Sequence, residues 1–168
     1  MDRKKMKGVT LVELIIYAAI MAIILGSVSS FIYANNKLKD RNQAINETDH
    51  SASEIMEIIT QSVRNSVLIN SPAIGFGASS LSVNTDTAGN NPTIFDLSGG
   101  KIRIKEGNAT VVNLNNDKIT LSNLAFKNLG TAGGKSSISV KFDASYVNTG
   151  RAGGFEYVKT FYGSASLR

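Results

Sequence analysis

The chain of 168 residues contains no cysteine, no tryptophan, two prolines and one histidine. Without cysteine it can form neither disulfide bonds nor metal sites built on thiolates. Its fold must therefore be held together by its own core. The sequence also contains no Gly-x-Ser-x-Gly segment and no phosphate-binding loop, and a single histidine provides no partner for a catalytic pair. We therefore expect no enzyme activity, no cofactor and no bound metal.

Positive charge is concentrated at the N-terminus. The formal net charge is +5, and the first eight residues contribute +3 of it, from four basic side chains against Asp2. Residues 9–168 therefore carry a net charge of only +2, from 14 basic and 12 acidic side chains. A nearly neutral remainder gives little support for a nucleic-acid partner.

Charge is nearly missing from residues 9–34, where Glu13 is the only charged side chain. As a helix, these 26 residues would be about 39 Å long, enough to cross a hydrocarbon core of roughly 30 Å. The basic residues before the run indicate, by the positive-inside rule, a cytoplasmic N-terminus, with the residues after Lys37 outside. We predict a single membrane-spanning segment in contact with lipid. A cleaved secretory signal is the alternative, although its apolar region is usually shorter, about 7–15 residues.

Glu13 lies where charge is disfavoured. An ionised side chain at the centre of a membrane helix costs roughly 2.5–3.5 kcal/mol on insertion scales. Such a residue is tolerated near a helix end, or it is kept because it finds a partner. The macrodipole favours an acid at a helix start, so the carboxylate alone leaves both interpretations open.

A helical period continues through residues 35–70, and neither glycine nor proline occurs between Ser27 and Ser71. We therefore predict one helix, apolar all round in residues 9–34 and amphipathic in residues 35–70, with a stripe that another element must cover. The apolar residues that recur at spacings of three, four and seven are Leu38, Ile45, Ala52, Ile55, Met56, Ile59 and Val63.

After Pro72 the pattern changes to the alternation that is typical of strands. Turn signals such as Ser98-Gly-Gly100 separate the runs. We predict that residues 71–168 form a β-domain of six or seven antiparallel strands packed on the stripe of residues 45–63. The fold class is α+β, a long N-terminal helix on a C-terminal antiparallel sheet. The runs are residues 81–83, 93–97, 101–105, 110–114, 118–122, 124–126, 137–142 and 155–162.

Two features of the β-domain could bind ligands. Residues 85–87 and 115–117 offer oxygen atoms for Ca²⁺, but neither has the spacing of a calcium loop, which favours plain turns. Lys101, Arg103 and Lys105 form a basic row on one strand face. A solvated face is the simpler interpretation, because DNA contact needs more charge than this. DNA or a surface ligand is thus an open alternative for this domain.

The segment Lys-Gly-Val-Thr-Leu-Val-Glu and the apolar run behind it resemble the N-terminus of type IV prepilins and pseudopilins. These families carry a short basic leader ending in glycine, then an apolar residue, Thr-Leu-Val or Thr-Leu-Ile, a glutamate and a hydrophobic helix. Valine departs from the phenylalanine that is commoner at the first apolar position. The matching residues are Lys7, Gly8, Val9, Thr10, Leu11, Val12 and Glu13.

The resemblance implies that residues 1–8 are a cytoplasmic leader, that prepilin peptidase cleaves between Gly8 and Val9, and that the new amino group of Val9 is methylated. It implies a single-pass precursor in the cytoplasmic membrane that later joins a filament at the cell surface. The implied partners are other pilin or pseudopilin subunits and, indirectly, an assembly platform and its ATPase. The membrane half lacks proline and the C-terminal pattern is similar to minor pilins of the J or W type, which favours a minor subunit.

A filament role for Glu13 follows from the cleavage that the resemblance implies. A free α-amine at Val9 would be largely protonated at neutral pH, and Glu13 lies one helical turn away. Subunits that are out of register would leave one of the two charges unpaired. A single unpaired buried charge costs about 3–5 kcal/mol. We expect Glu13 to set the register between subunits of the filament. The filament would serve motility, adhesion, DNA uptake or protein export. The alternative is a membrane-tethered outer binding module that forms no filament.

Overall fold

A computed structural model of the chain describes residues 9–131, 134, 136–147 and 156–167. These residues form an α+β architecture, in which one long N-terminal helix packs against antiparallel sheets, and the predicted fold class is confirmed. In chain order the elements are α1 (Leu11–Arg64), β1 (Ser66–Ser71), β2 (Gly77–Ala78), β3 (Leu81–Thr85), a 3-10 turn (Ala88–Asn90), β4 (Thr93–Ser98), β5 (Lys101–Glu106), β6 (Val112–Asn113), β7 (Ile119–Asn128), β8 (Ser137–Tyr146) and β9 (Val158–Ser166).

The chain divides into two compact units, Met1–Arg41 and Asn42–Arg168. In the first unit, every described residue from Val9 to Arg41 is exposed. This part of α1 contains a stretch long and apolar enough to cross a membrane, by length and composition. The division falls at neither residue 34 nor residue 70, because those sequence boundaries follow hydropathy and pattern whereas the units follow contacts.

The second unit contains the rest of α1 and two sheets. The five-stranded sheet has the order β1-β3-β4-β5-β6, and the four-stranded sheet has the order β2-β7-β8-β9. All pairings are antiparallel. The predicted runs 118–122 and 124–126 are one strand, β7, with an irregularity between Ser122 and Ala125. Of the predicted run 155–162, residue 155 lies outside the described part, and β9 begins at Val158.

The helix ends before the predicted residue 70. It stops at Arg64, and β1 pairs with β3. The hydroxyl of Ser66 donates a hydrogen bond to the carbonyl of Val63 (2.7 Å) just past the last turn. No glycine or proline marks this end, so the partner strand, rather than the local sequence, decides between helix and strand.

From Ala52 onward the predicted stripe is buried, except that Met56 is only partly buried. Ile55, Ile59 and Val63 are fully buried and belong to one core cluster that also contains side chains from both sheets. Nearer the N-terminus the prediction fails, since Leu38 is exposed and Ile45 is only half-buried. The buried positions there carry small or hydroxyl side chains, which hydrophobic periodicity does not mark. They are Ala44, Thr48 and Ser51.

The second half of α1 also contacts the four-stranded sheet through specific pairs. Lys118, just before β7, forms an ion pair with Glu47 (3.0 Å). Lys159 in β9 pairs with Asp49 (3.0 Å). These pairs are partly exposed, so each contributes little stability, in the range of about 0–1 kcal/mol. Their value lies in fixing which helix residues face which strands.

Two turn signals adopt the geometry that the sequence predicts. Gly99 and Gly100, with φ of 58° and 75°, join β4 and β5 in the kind of turn that needs positive φ at both positions. Asn115 is buried, and its carboxamide accepts a hydrogen bond from the Ile102 N–H (3.0 Å) and donates one to the Ile119 carbonyl (2.6 Å). These polar atoms of Asn115 are therefore committed to the backbone.

Replacing Ile59 by alanine should lower the free energy of unfolding by about 2–5 kcal/mol, because the side chain is fully buried in the core cluster. Urea unfolding of the full chain in detergent, followed by circular dichroism, measures this change. Val158→Ala, at a position that is 64% exposed, is the control and should stay within about 0.5 kcal/mol of the unchanged protein. Equal losses in the two variants would contradict the core assignment.

Asp143 in β8 is a carboxylate held by two neutral hydrogen-bond donors. It accepts hydrogen bonds from the hydroxyl of Thr160 (2.6 Å) and from the amide of Asn123 (2.6 Å). These two bonds hold the pKa of Asp143 below its usual value, and the bond from the Thr160 hydroxyl has the larger effect. A lowered folded pKa adds stability that is present above the unfolded value, about pH 4, and is lost as the pH falls through the folded value.

Asp143→Asn should therefore be less stable than the unchanged chain near neutral pH, and the difference should shrink as the pH falls below about 4. Urea midpoints across this pH range measure the effect. Asp86→Asn, at an exposed loop position, is the matched control and should follow the unchanged chain. A stability difference that is constant with pH would show that the charge of Asp143 is not its cause.

Candidate functional site

The start of α1 is built by reciprocal hydrogen bonds between Thr10 and Glu13. The Thr10 hydroxyl accepts a hydrogen bond from the Glu13 backbone N–H (3.3 Å). In return, Oε2 of Glu13 accepts from the Thr10 backbone N–H (3.0 Å) and from the Thr10 hydroxyl (3.1 Å). This is a capping box, with threonine at the N-cap and glutamate three residues later.

The capping box explains why an acid can stand at the edge of an apolar helix. The first N–H groups of a helix have no partners within it, and Glu13 and Thr10 satisfy two such donors. The carboxylate also lies at the positive end of the helix dipole. We did not predict the box, although the Thr-x-x-Glu spacing of residues 10–13 is the signal that identifies it.

The other motif residues are accessible around this start. Val9, Leu11 and Val12 are 68%, 75% and 64% exposed. Lys7 and Gly8 lie outside the described residues. The structure thus brings Thr10 and Glu13 together and leaves the neighbouring apolar side chains open to lipid or to other chains.

The basic row on β5 is largely paired with acids. Arg103 binds Asp96 through two hydrogen bonds (2.8 and 2.7 Å), and this carboxylate raises the pKa of the guanidinium. Lys101 pairs with Asp117, whose pKa it lowers. Only Lys105 is without an acid partner among the described residues. Local pairing therefore supports the solvated-face interpretation over contact with DNA.

The comparison with known families bears on the helix start. A family model described as the prokaryotic N-terminal methylation motif matches residues 3–29. The chain carries the N-terminal motif of type IV prepilins and pseudopilins. This confirms the family resemblance of residues 7–13, while the J or W subtype is not confirmed. Comparison with curated proteins and with solved structures gives no match.

The methylation motif and the apolar beginning of α1 occupy the same part of the chain. A prepilin-type motif heads an apolar helix that fits a membrane-anchored precursor. The family motif also suggests a structural subunit rather than an enzyme. Among the described residues, no group of three or more histidine, cysteine, aspartate or glutamate side chains is placed to hold a metal ion.

Proposed function

We propose that this chain is a structural subunit, a minor pilin or pseudopilin, of a type IV pilus or a type II secretion-like filament. The observation that carries the proposal is the apolar part of α1, which begins with the methylation motif and is uncovered over all its described length. Lipid covers such a helix in the precursor, and the same helices of neighbouring subunits cover it in a filament. The filament would serve motility, adhesion, DNA uptake or protein export.

Processing is the first step of this function. Prepilin peptidase removes residues 1–8 by cleaving between Gly8 and Val9, and the new amino group of Val9 is methylated. Cleavage removes the strongly basic leader, which holds the N-terminus on the cytoplasmic side. The new amine then lies directly before the Thr10–Glu13 capping box.

The geometry of Glu13 allows it to cap its own helix and to bind a neighbour at once. Both hydrogen bonds from Thr10 go to Oε2, and Oε1 accepts none from the described residues. Oε1 can therefore receive the positive amine of Val9 from an adjacent subunit. A pair of this kind selects register, because either charge left alone in the apolar bundle costs about 3–5 kcal/mol.

The second candidate function is a membrane-tethered outer binding module that forms no filament. The exposed apolar helix by itself favours neither candidate, since lipid alone would cover it, and the methylation motif at its start is what favours the filament subunit. The mature N-terminus separates them. A filament subunit begins at a methylated Val9, whereas a simple tether keeps residues 1–8, and a secreted protein loses most of the apolar run.

Gly8→Val should block removal of the leader, because a branched side chain would stand next to the bond that is cut. Intact-mass spectrometry of the membrane-extracted chain measures whether residues 1–8 remain. Gly26→Val is the matched control. It adds the same bulk at an exposed helix position, where beyond the chain neighbours and the adjacent helix backbone nothing lies within 4 Å of a new Cβ, and its leader should be removed normally. Normal processing of Gly8→Val would place the cleavage site elsewhere.

Glu13→Gln separates the two roles of the carboxylate, since glutamine can still complete a capping box but carries no charge. We expect processing to continue and incorporation into filaments to fall about 100-fold, the equivalent of about 3 kcal/mol. Quantitative immunoblotting of sheared filaments against the membrane pool measures incorporation. Thr10→Ala weakens the cap and keeps the charge, so it should incorporate far better. Normal incorporation of Glu13→Gln would refute the register role and leave capping as the function of Glu13.

A further inference from the structure

Three asparagines of this chain are followed by threonine two residues later, the pattern that marks acceptors of N-linked glycans when the middle residue is not proline. The middle residue after Asn91 is Pro92, which excludes that triplet. The two remaining acceptor asparagines are Asn46 and Asn108. The structure distinguishes sharply between these two.

The Asn46 triplet lies inside α1, where its threonine is not available. Thr48 is fully buried, and its hydroxyl donates a hydrogen bond to the Ala44 carbonyl (2.8 Å). A glycosyltransferase must bind the acceptor as an accessible segment and contact the free hydroxyl. The helix would have to unwind in the core region to allow this, so Asn46 is not an acceptor in the folded chain.

The Asn108 triplet has the opposite geometry. It lies in the loop between β5 and β6, where Asn108, Ala109 and Thr110 are all exposed. Neither polar side chain of the triplet forms a hydrogen bond with another described residue. The Ala109 N–H donates to the Glu106 carbonyl (2.8 Å), so the acceptor stands at a turn.

The base of this loop is braced, which presents the acceptor at a fixed place. The Gly107 N–H donates a hydrogen bond to the Pro92 carbonyl (3.0 Å), and Gly107 has a φ of 50°. A Cβ at Gly107 would collide with the carbonyl of Gly89 in the 3-10 turn. Just before it, Glu106 is exposed and places a carboxylate two residues ahead of Asn108.

We propose that Asn108 is a site of N-linked glycosylation. The side-chain nitrogen of Asn108 attacks the anomeric carbon of a polyprenyl-pyrophosphate-linked oligosaccharide. A C–N bond forms, the C–O bond to the pyrophosphate breaks, polyprenyl pyrophosphate leaves, and the amide proton passes to a base of the transferase. Thr110 provides the hydroxyl that the transferase contacts, and Glu106 pairs with a cationic side chain of that enzyme. The proposal rests on the outer location of this unit in the proposed function.

A glycan at this position would have a structural effect. β6 is the edge strand of the five-stranded sheet, and it has only two residues. Val111, just before β6, and Val112, within it, are 48% and 52% exposed. Unpaired sheet edges beside apolar side chains invite pairing with other chains. A hydrophilic glycan on Asn108, four residues before β6, would cover this edge.

The test is peptide mapping by mass spectrometry of the full chain, purified from the cells that produce it. Trypsin cleavage after Lys105 and Lys118 gives one peptide, residues 106–118, that contains the triplet. We expect this peptide to carry a glycan on Asn108. The glycan should disappear in Thr110→Val, which keeps the shape and removes the hydroxyl, and should decrease in Glu106→Gln. Asn46→Gln, which removes the helical triplet, is the matched control and should keep it.

An unmodified 106–118 peptide throughout the mature protein would overturn the proposal, and so would a glycan that persists in Thr110→Val. The same sample reports the N-terminus separately. A chain that starts at Val9 without a glycan refutes the glycosylation site alone. A chain that starts at Met1 with a glycan on Asn108 refutes leader processing and retains both the acceptor and the outer location.

Discussion

The first half of α1 exposes apolar side chains that no described part of the chain covers, and the proposed function depends on lipid or other chains to cover them. A helix that is apolar on all sides is stable only where lipid or other apolar helices surround it. The second half of the same helix meets the opposite condition, since Ile55, Ile59 and Val63 are completely buried by the protein's own sheets. One element thus has two environments, one supplied by the fold and one by the surroundings.

Glu13 shows how a charge is accommodated in such a helix. The capping box gives the carboxylate two donors from its own chain, so the residue is structurally useful before any neighbour arrives. That lowers the cost of an acid in an apolar run without removing its charge. With Oε2 engaged and Oε1 accepting no hydrogen bond from the described residues, one conformation of Glu13 would suit both the membrane-stored chain and the bundle of the proposed filament.

The sequence predicts those elements whose cause is local. Residues 7–13 identify the motif because it consists of consecutive side chains, and the strands of the second unit follow from alternation and from glycine turns. Three things could not be predicted in this way. The switch from helix to strand after Arg64 depends on pairing with β3, the burial of Thr48 and Ser51 depends on how closely the sheets approach, and the division into two sheets depends on distant pairings. The capping box also has a local cause, and the Thr-x-x-Glu spacing of residues 10–13 is sufficient to predict it.

Asn115 has a consequence for how the second unit, residues 42–168, can vary. Its carboxamide joins the N–H of Ile102 in the five-stranded sheet to the carbonyl of Ile119 in the four-stranded sheet, at the corner where the chain passes from one to the other. The nearby N–H of Leu121 donates to the carbonyl of Gly100 and ties the same corner again (2.8 Å). With this corner fixed, distant loops can change length or sequence while the two sheets keep their mutual alignment. The exposed loops of this unit can therefore vary in sequence while its two sheets stay fixed relative to each other.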